Sequence, residues 1–262
     1  MHEPDRYKFV FVCGLHRSGT SPLFRVLRQH PEISGFRDTG VPEDEGQHLQ
    51  TVFPAAKAYG GPGSFGFAGE AHLTEESALV SSENRQRLFE EWSKYWDLTK
   101  PCLLEKSPPN LIRTRFLQAI FPGSYFIVVT RHPIAVSLAT SKWTPSRLES
   151  LIDHWLQCHR LFELDRRYLG NVRVIKYENL IRGTQTELDQ IYGFLGLVPH
   201  SSPPLNPAGN EQYLAAWRQL SVEEDGRTQF REIIAKYEQK VRPYGYSLAD
   251  SNSTDSAASP TR

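Results

Sequence analysis

The sequence predicts an α/β fold with three layers, α/β/α, around a central parallel sheet. Short apolar runs of strand length alternate with longer segments of helical period. The runs are continuous rather than alternating, as strands buried on both faces are. Arg17, Lys106, Arg131 and Tyr177 each fall just past a run, where sites in open parallel sheets lie. The 262 residues, 39% of them hydrophobic, suffice for one large α/β domain.

The first strand spans residues 7–13, short and rich in β-branched and aromatic residues, and a helix over 20–30 follows it. Residues 31–72 are rich in Gly and Pro and read as irregular, with a short helix from Glu45 to Ala56. Gly60-Gly61-Pro62-Gly63-Ser64 marks a loop expected to be mobile. A helix over 83–98 leads to a second strand at Cys102–Glu105, then a helix over 110–121. Ser124–Thr130 is the strongest strand, and Pro133 suits the first turn of the helix after it. A long helix over 146–169 precedes the strand Val172–Ile175. Helices from Thr184 to Leu195, over 210–220 and over 223–241 complete the domain, expected to cover residues 1–248. Residues 249–262 have almost no apolar side chain and read as a disordered tail.

Between the first strand and its helix lies Gly14-Leu15-His16-Arg17-Ser18-Gly19-Thr20-Ser21. Strand, glycine loop and helix together aim backbone N–H groups at a phosphate, so the expected fold is P-loop NTPase-like. The Walker pattern needs Lys directly after the second Gly, and Thr20 stands there instead. The loop keeps its capacity for an anion, with Arg17 as the nearby cation. Two rivals follow from the loop: a P-loop kinase or triphosphatase, and a non-catalytic nucleotide-binding or partner-binding protein. The kinase lacks its Lys here and has no evident Mg²⁺-binding acidic strand.

Composition narrows the classes further. The 30 basic and 30 acidic residues balance, so no global field favours nucleic acid or an anionic membrane. No apolar run approaches the roughly 20 residues of a spanning helix. Cys13, Cys102 and Cys158 are far apart and not in metal-type spacing, so buried thiols, no metal and a cytoplasmic location are expected.

Five motifs in this order resemble the sulfotransferases that use 3′-phosphoadenosine-5′-phosphosulfate (PAPS), nearest to the heparan N-sulfotransferase and tyrosylprotein sulfotransferase type. Arg17-Ser18-Gly19-Thr20-Ser21 resembles the family's 5′-phosphosulfate loop. His30-Pro31 closes the following helix, and Glu105-Lys106-Ser107 resembles the strand end that carries a lysine. Thr130-Arg131-His132-Pro133 resembles the start of the 3′-phosphate motif. Tyr177-Glu178-Asn179-Leu180, followed by Phe194-Leu195-Gly196, resembles a further family stretch. The resemblance runs from about residue 7 to 246 and implies sulfuryl transfer from PAPS to a hydroxyl or amine, with PAP as product and no metal.

The resemblance also assigns roles. Ser18, Gly19, Thr20 and Ser21 receive the 5′-phosphosulfate, Arg17 neutralises it, and Lys106 faces the bridging oxygen. Arg131 takes the 3′-phosphate and Tyr177 the adenine. The family's partner Ser, eight residues after the Arg, is Ala139 here, so Thr140 or Lys142 is expected to supply that contact. Attack by a hydroxyl calls for a general base. Pro108 stands where one branch has a His; the acidic stretch after the first helix leaves Glu45 first, Asp38 second and His48 third. Residues 41–69 and 203–212 should flank a small-molecule, carbohydrate or lipid acceptor, with Phe53, Tyr59, Phe65 and Phe67 as candidate pocket aromatics. The sequence sets no oligomeric state.

Overall fold

A computed structural model describes residues 3–206 and 208–250. Five parallel strands form its sheet: β1 (Lys8–Gly14), β2 (Ile33–Gly35), β3 (Cys102–Lys106), β4 (Tyr125–Thr130) and β5 (Asn171–Lys176). Their order is β2-β3-β1-β4-β5, so the chain leaves β1 in opposite directions toward β3 and β4. That reversal opens a crevice beyond the carboxyl end of β1. The nine α-helices described are α1 (Thr20–Leu27), α2 (Ser82–Ser93), α3 (Thr114–Ile120), α4 (Pro133–Thr140), α5 (Leu148–Arg166), α6 (Tyr177–Arg182), α7 (Thr184–Leu195), α8 (Ala208–Val222) and α9 (Glu224–Val241).

Side chains alternate across the sheet, and this divides the core. Phe9 and Phe11 meet an aromatic layer made by Phe89 and Trp92 of α2 with Trp96 and Phe121. The Phe9 and Phe121 rings stack with centroids 4.0 Å apart. The register pairs Phe11 with Glu105 and Val12 with Lys106. Glu105 therefore shares the aromatic side, and Lys106 points to the opposite face, where it reaches Ser21 of α1. Two neighbouring residues of one strand thus serve two different layers.

Several expected boundaries move. The helix expected over Glu45–Ala56 is absent; two 3₁₀ turns, Gly46–His48 and Ala56–Tyr59, stand instead. The reason is tertiary. The Gly46 and Gln47 amides donate to Glu105 and Ser107, and the Gly46 carbonyl accepts from the Trp92 indole besides the Leu49 amide of its own turn; the Thr51 amide goes to Glu91 of α2 and those of Val52 and Phe53 to Gln50 Oε1, which takes them out of any helical ladder. β2 and α6 were not foreseen, each being too short for a periodic signal. The helix expected over 110–121 begins only at Thr114, after a 3₁₀ turn at Pro108–Ile112. α2 stops at Ser93, short of residue 98. The 60–64 loop is packed, with Gly61 and Gly63 buried. A Cβ on Gly63 would stand 2.4 Å from Leu151 Cδ2. At the C-terminus the amides of Ala249 and Asp250, the first two residues of the expected tail, donate to Glu238 Oε2 and Ser247 Oγ. Residues 251–262 lie outside the described residues.

Candidate active site

Beyond the carboxyl ends of the strands lies a cleft of 650 Å³. Its floor is the glycine loop. Gly14 is required by close approach, since a Cβ there would stand 2.5 Å from Ser18 Oγ and 2.7 Å from the Val129 carbonyl. Gly19 adopts φ 102°, and a Cβ would meet the Tyr177 ring at 2.2 Å. The loop then feeds α1, whose N-terminus has no side-chain cap. The first amides of a helix have no partner within it, so α1 presents donors and the positive end of its dipole to the cleft. The buried Ser18 hydroxyl likewise has no partner among the described residues.

Lys106 is fully buried and stands beside α1. Its Nζ lies 3.2 Å from Ser21 Oγ and 3.0 Å from Glu45 Oε1. Glu45 Oε2 accepts from Gln47 Nε2 at 2.6 Å, and His48 Nε2 lies 3.9 Å from the same oxygen. Glu45 and Lys106 are separated by 61 residues in the chain, and the fold makes them a buried ion pair.

Arg131, at the tip of β4, is almost fully buried. Its guanidinium donates to the Arg17 carbonyl at 2.7 Å, the Gly209 carbonyl at 2.9 Å and Asn210 Oδ1 at 2.9 Å. It also lies 4.6 Å from the centroid of the Tyr177 ring. Burial lowers its pKa, opposed by Tyr177 and Glu178. Behind it, Glu178 accepts from the His132 amide and the Tyr246 hydroxyl. Arg17 has φ 68° and places its guanidinium 4.6 Å over the ring of Trp143, a half-exposed residue lining the cleft. Burial opposes ionisation of the Tyr213 phenol, but hydrogen bonds from Lys142 and Arg17 outweigh it and lower its pKa.

The structure brings Arg17, Gly19, Thr20, Ser21, Glu45, His48, Arg131 and Tyr177 to one cleft, with Lys106 at its floor. It does not bring Asp38, which is exposed and does not line the cleft. Thr140 turns instead to a small cavity shared with Gly63, Leu151 and His154. Lys142 stands at the rim, its Nζ 4.9 Å over the Tyr213 ring. Ala139 packs with Ala135 against Tyr213 and Leu214 of α8, so a small apolar residue suits that helix contact. None of the candidate aromatics Phe53, Tyr59, Phe65 and Phe67 lines the cleft; Phe53 and Phe65 are core residues.

Sequence reasoning passed over His16, Gln47 and Trp143, all in the cleft wall. His16 sits inside the loop motif at a position to which the motif gives no role, and Trp143 follows Lys142 outside any motif. Among charged groups the wall holds Arg17, Arg25, Lys57 and Arg131 against Glu43 and Glu45. Arg25 is neutralised by Glu43 at 2.8 Å, and Glu45 by Lys106. No carboxylate stands in ion-pair reach of Arg17 or Arg131 among the described residues. With the uncapped α1, this donor set fits a polyanion; Ser18, expected among the donors, is buried, does not line the cleft, and spends its amide on the Leu15 carbonyl.

The cleft thus gathers anion donors at the head of a parallel sheet. Comparison with known proteins sets the class. The sulfotransferase family model matches residues 10–201, and the chain belongs to that family, whose members catalyse sulfuryl transfer. No curated protein matches the sequence. Among solved structures, a sulfotransferase from Alicyclobacillus acidocaldarius is 20% identical with a TM-score of 0.47, over 82% of this chain and 92% of its own. The sulfotransferase domain of the Synechococcus PCC 7002 olefin synthase is 19% identical with a TM-score of 0.49, over 81% and 90%. Mouse sulfotransferase SULT7A1, solved as a complex with PAP, is 14% identical with a TM-score of 0.40, over 82% and 66%.

Proposed function

We propose that this protein moves the sulfuryl group of PAPS to a hydroxyl or amine acceptor by in-line displacement, with Glu45 as general base. The observation that carries the reading is the buried Glu45–Lys106 pair at the uncapped start of α1. A base and a cation held together there serve the two ends of a displacement, one taking a proton and the other meeting charge on the departing oxygen. PAPS supplies an activated sulfuryl group on a phosphate leaving group. The amides at residues 19–21 and Arg17 hold the 5′ end of that donor, the Ser18 amide being bonded to the Leu15 carbonyl; Arg131, with Lys142 and Tyr213 at the rim, suits its 3′-phosphate. Lys106 sits between Ser21 and Glu45 and can exchange one of these partners for an incoming anion without leaving its place. Glu45 Oε2 faces His48 and Gln47 on the side of the cleft walled by residues 56–62, which we assign to the acceptor.

The acceptor is a small molecule, carbohydrate or lipid head group in this reading. No helix of the described residues is long and apolar enough to cross a membrane. The three cysteines are buried and unpaired, which suits a reducing compartment, and we place the reaction in the cytoplasm.

Thermal stabilisation tests the reading, because a ligand that binds only the folded state raises the melting temperature by mass action. PAP alone should stabilise the protein, and a screen with radiolabelled PAPS should then find the acceptor. Stabilisation by ATP with Mg²⁺ and not by PAP would reverse the assignment.

A further inference from the structure

Glu105 is a buried carboxylate that the proposed chemistry does not use, 1% exposed on the aromatic side of the sheet. Its Oε1 accepts from the Gly46 amide at 3.0 Å and from the Ser107 hydroxyl at 2.6 Å, and its Oε2 accepts from Asn110 Nδ2. The Ser107 oxygen in turn accepts from the Gln47 amide at 2.9 Å. The Trp92 indole donates to the Gly46 carbonyl from the other side at 3.0 Å. A Cβ on Gly46 would stand 2.5 Å from Glu105 Oε1, so the backbone is pressed onto the carboxylate. In each of its three hydrogen bonds Glu105 is the acceptor. A buried carboxylate is held in place by such donors, and it fixes them in return.

We propose that Glu105 is a positioning residue for Glu45: through Gly46 and the Ser107 relay it clamps the 45–47 turn and so aims Glu45 at Lys106. The inference rests on the assignment of Glu45 as base. One strand end then sets both halves of the site, Lys106 directly on one face and Glu45 indirectly from the other. The clamp is tightest while Glu105 is ionised, because a carboxylate accepts these hydrogen bonds more strongly than a neutral carboxyl does. Burial pushes its pKa up to about 7, against hydrogen bonds from Ser107 and Asn110. The charged and titratable groups around it are Lys106 on its own strand, Glu45 on the clamped turn, Cys13 on β1 and Arg113 after the Pro108–Ile112 turn.

Hydrogen exchange of the peptide covering residues 43–50, on the full chain, tests the clamp. Glu105→Leu and Ser107→Ala should raise its exchange roughly tenfold or more, while the affinity for PAP stays within about twofold. Glu105→Gln should restore part of the protection lost in Glu105→Leu, because its oxygen still accepts from Gly46 and Ser107 and its amide can donate to a turned Asn110, but without the charge. Wild-type protection, corrected for intrinsic rates, should fall as pH drops below about 7, and in Glu105→Gln it should not. Where Glu105→Leu fails to fold, Ser107→Ala and the pH profile decide. Unchanged protection in these variants, or the same pH profile in Glu105→Gln, overturns the proposal. Turnover separates the two readings. If Glu45→Gln keeps full turnover, the base is misassigned even where the clamp holds. If Glu45→Gln is slow and Ser107→Ala is as fast as wild type, only the clamp's role in positioning falls.

Discussion

Glu45 and Lys106 form a pair that neither residue could hold alone in the interior. Taking one partner from a buried ion pair costs about 3–5 kcal/mol when the other charge is left bare. Glu45→Gln avoids most of that, since the amide oxygen can still accept from Lys106. It should therefore fold, bind PAP as wild type does, and turn over roughly 10²–10⁴ times more slowly, as steady-state assays would read. Full activity in that variant, with Asp38→Asn inactive, would move the base to the exposed Asp38. Arg17 makes a separate case, because its backbone sits at φ 68°. Asn tolerates that region better than Ala does. Arg17→Asn should weaken PAP binding roughly 10- to 100-fold, the worth of a charge-assisted hydrogen bond, with the melting temperature of the free protein little changed. Titration calorimetry would show it, and an unaltered affinity would count against the loop as the donor's seat.

The glycine loop and α1 act as one element, and their joint geometry depends on Gly19. Its positive φ and the Tyr177 ring leave no room for a side chain. Gly19→Ala should cost about 1–3 kcal/mol of stability from backbone strain alone, and more where Tyr177 must shift. Urea unfolding would measure it, with PAP stabilisation reduced in parallel because Arg131 rests on the same ring. The loop, its strand and its helix were legible in the sequence because glycine spacing, an apolar run and helical period are local signals. Their strand-end neighbours Lys106 and Arg131 were legible for the same reason. The 45–56 segment was not. Its residues suit a helix, but β3 and α2 take over its backbone donors and acceptor, and contacts across 46–60 residues leave no local trace. Ala139 was legible only as a departure; the contact with α8 that explains it joins segments some 74 positions apart (Ala139 with Tyr213).

Across the whole molecule, buried titratable groups set the response to acid. Burial lowers His132 and His159 to about 4 and His16 and His154 to about 3, so the folded chain holds them neutral. Each binds a proton more readily in the unfolded chain. Their contribution is complete above the unfolded value of about 6.5 and is lost as pH falls toward 4. Glu105 has the opposite sign: with its pKa raised to about 7, its share of stability declines as pH climbs from about 4.5 to 7. Burial raises Glu178 as well, so these two partly offset the four histidines. The melting temperature should therefore fall between pH 6.5 and 4, and Glu105→Gln, which removes one offset, should make that fall steeper. A flat profile over this range would show that the four imidazoles take up protons without unfolding.

Local chemistry in the chain determined the alternation of strand and helix, the anion loop and the cations at the strand tips, because each depends on residues within one or two turns of one another. The tertiary structure alone decided which acid meets Lys106, which aromatic rings stay in the core, and what holds the 45–47 turn in place. Those outcomes depend on hydrogen bonds and burial between segments that only the sheet order brings together, and no pattern along the chain encodes their distance.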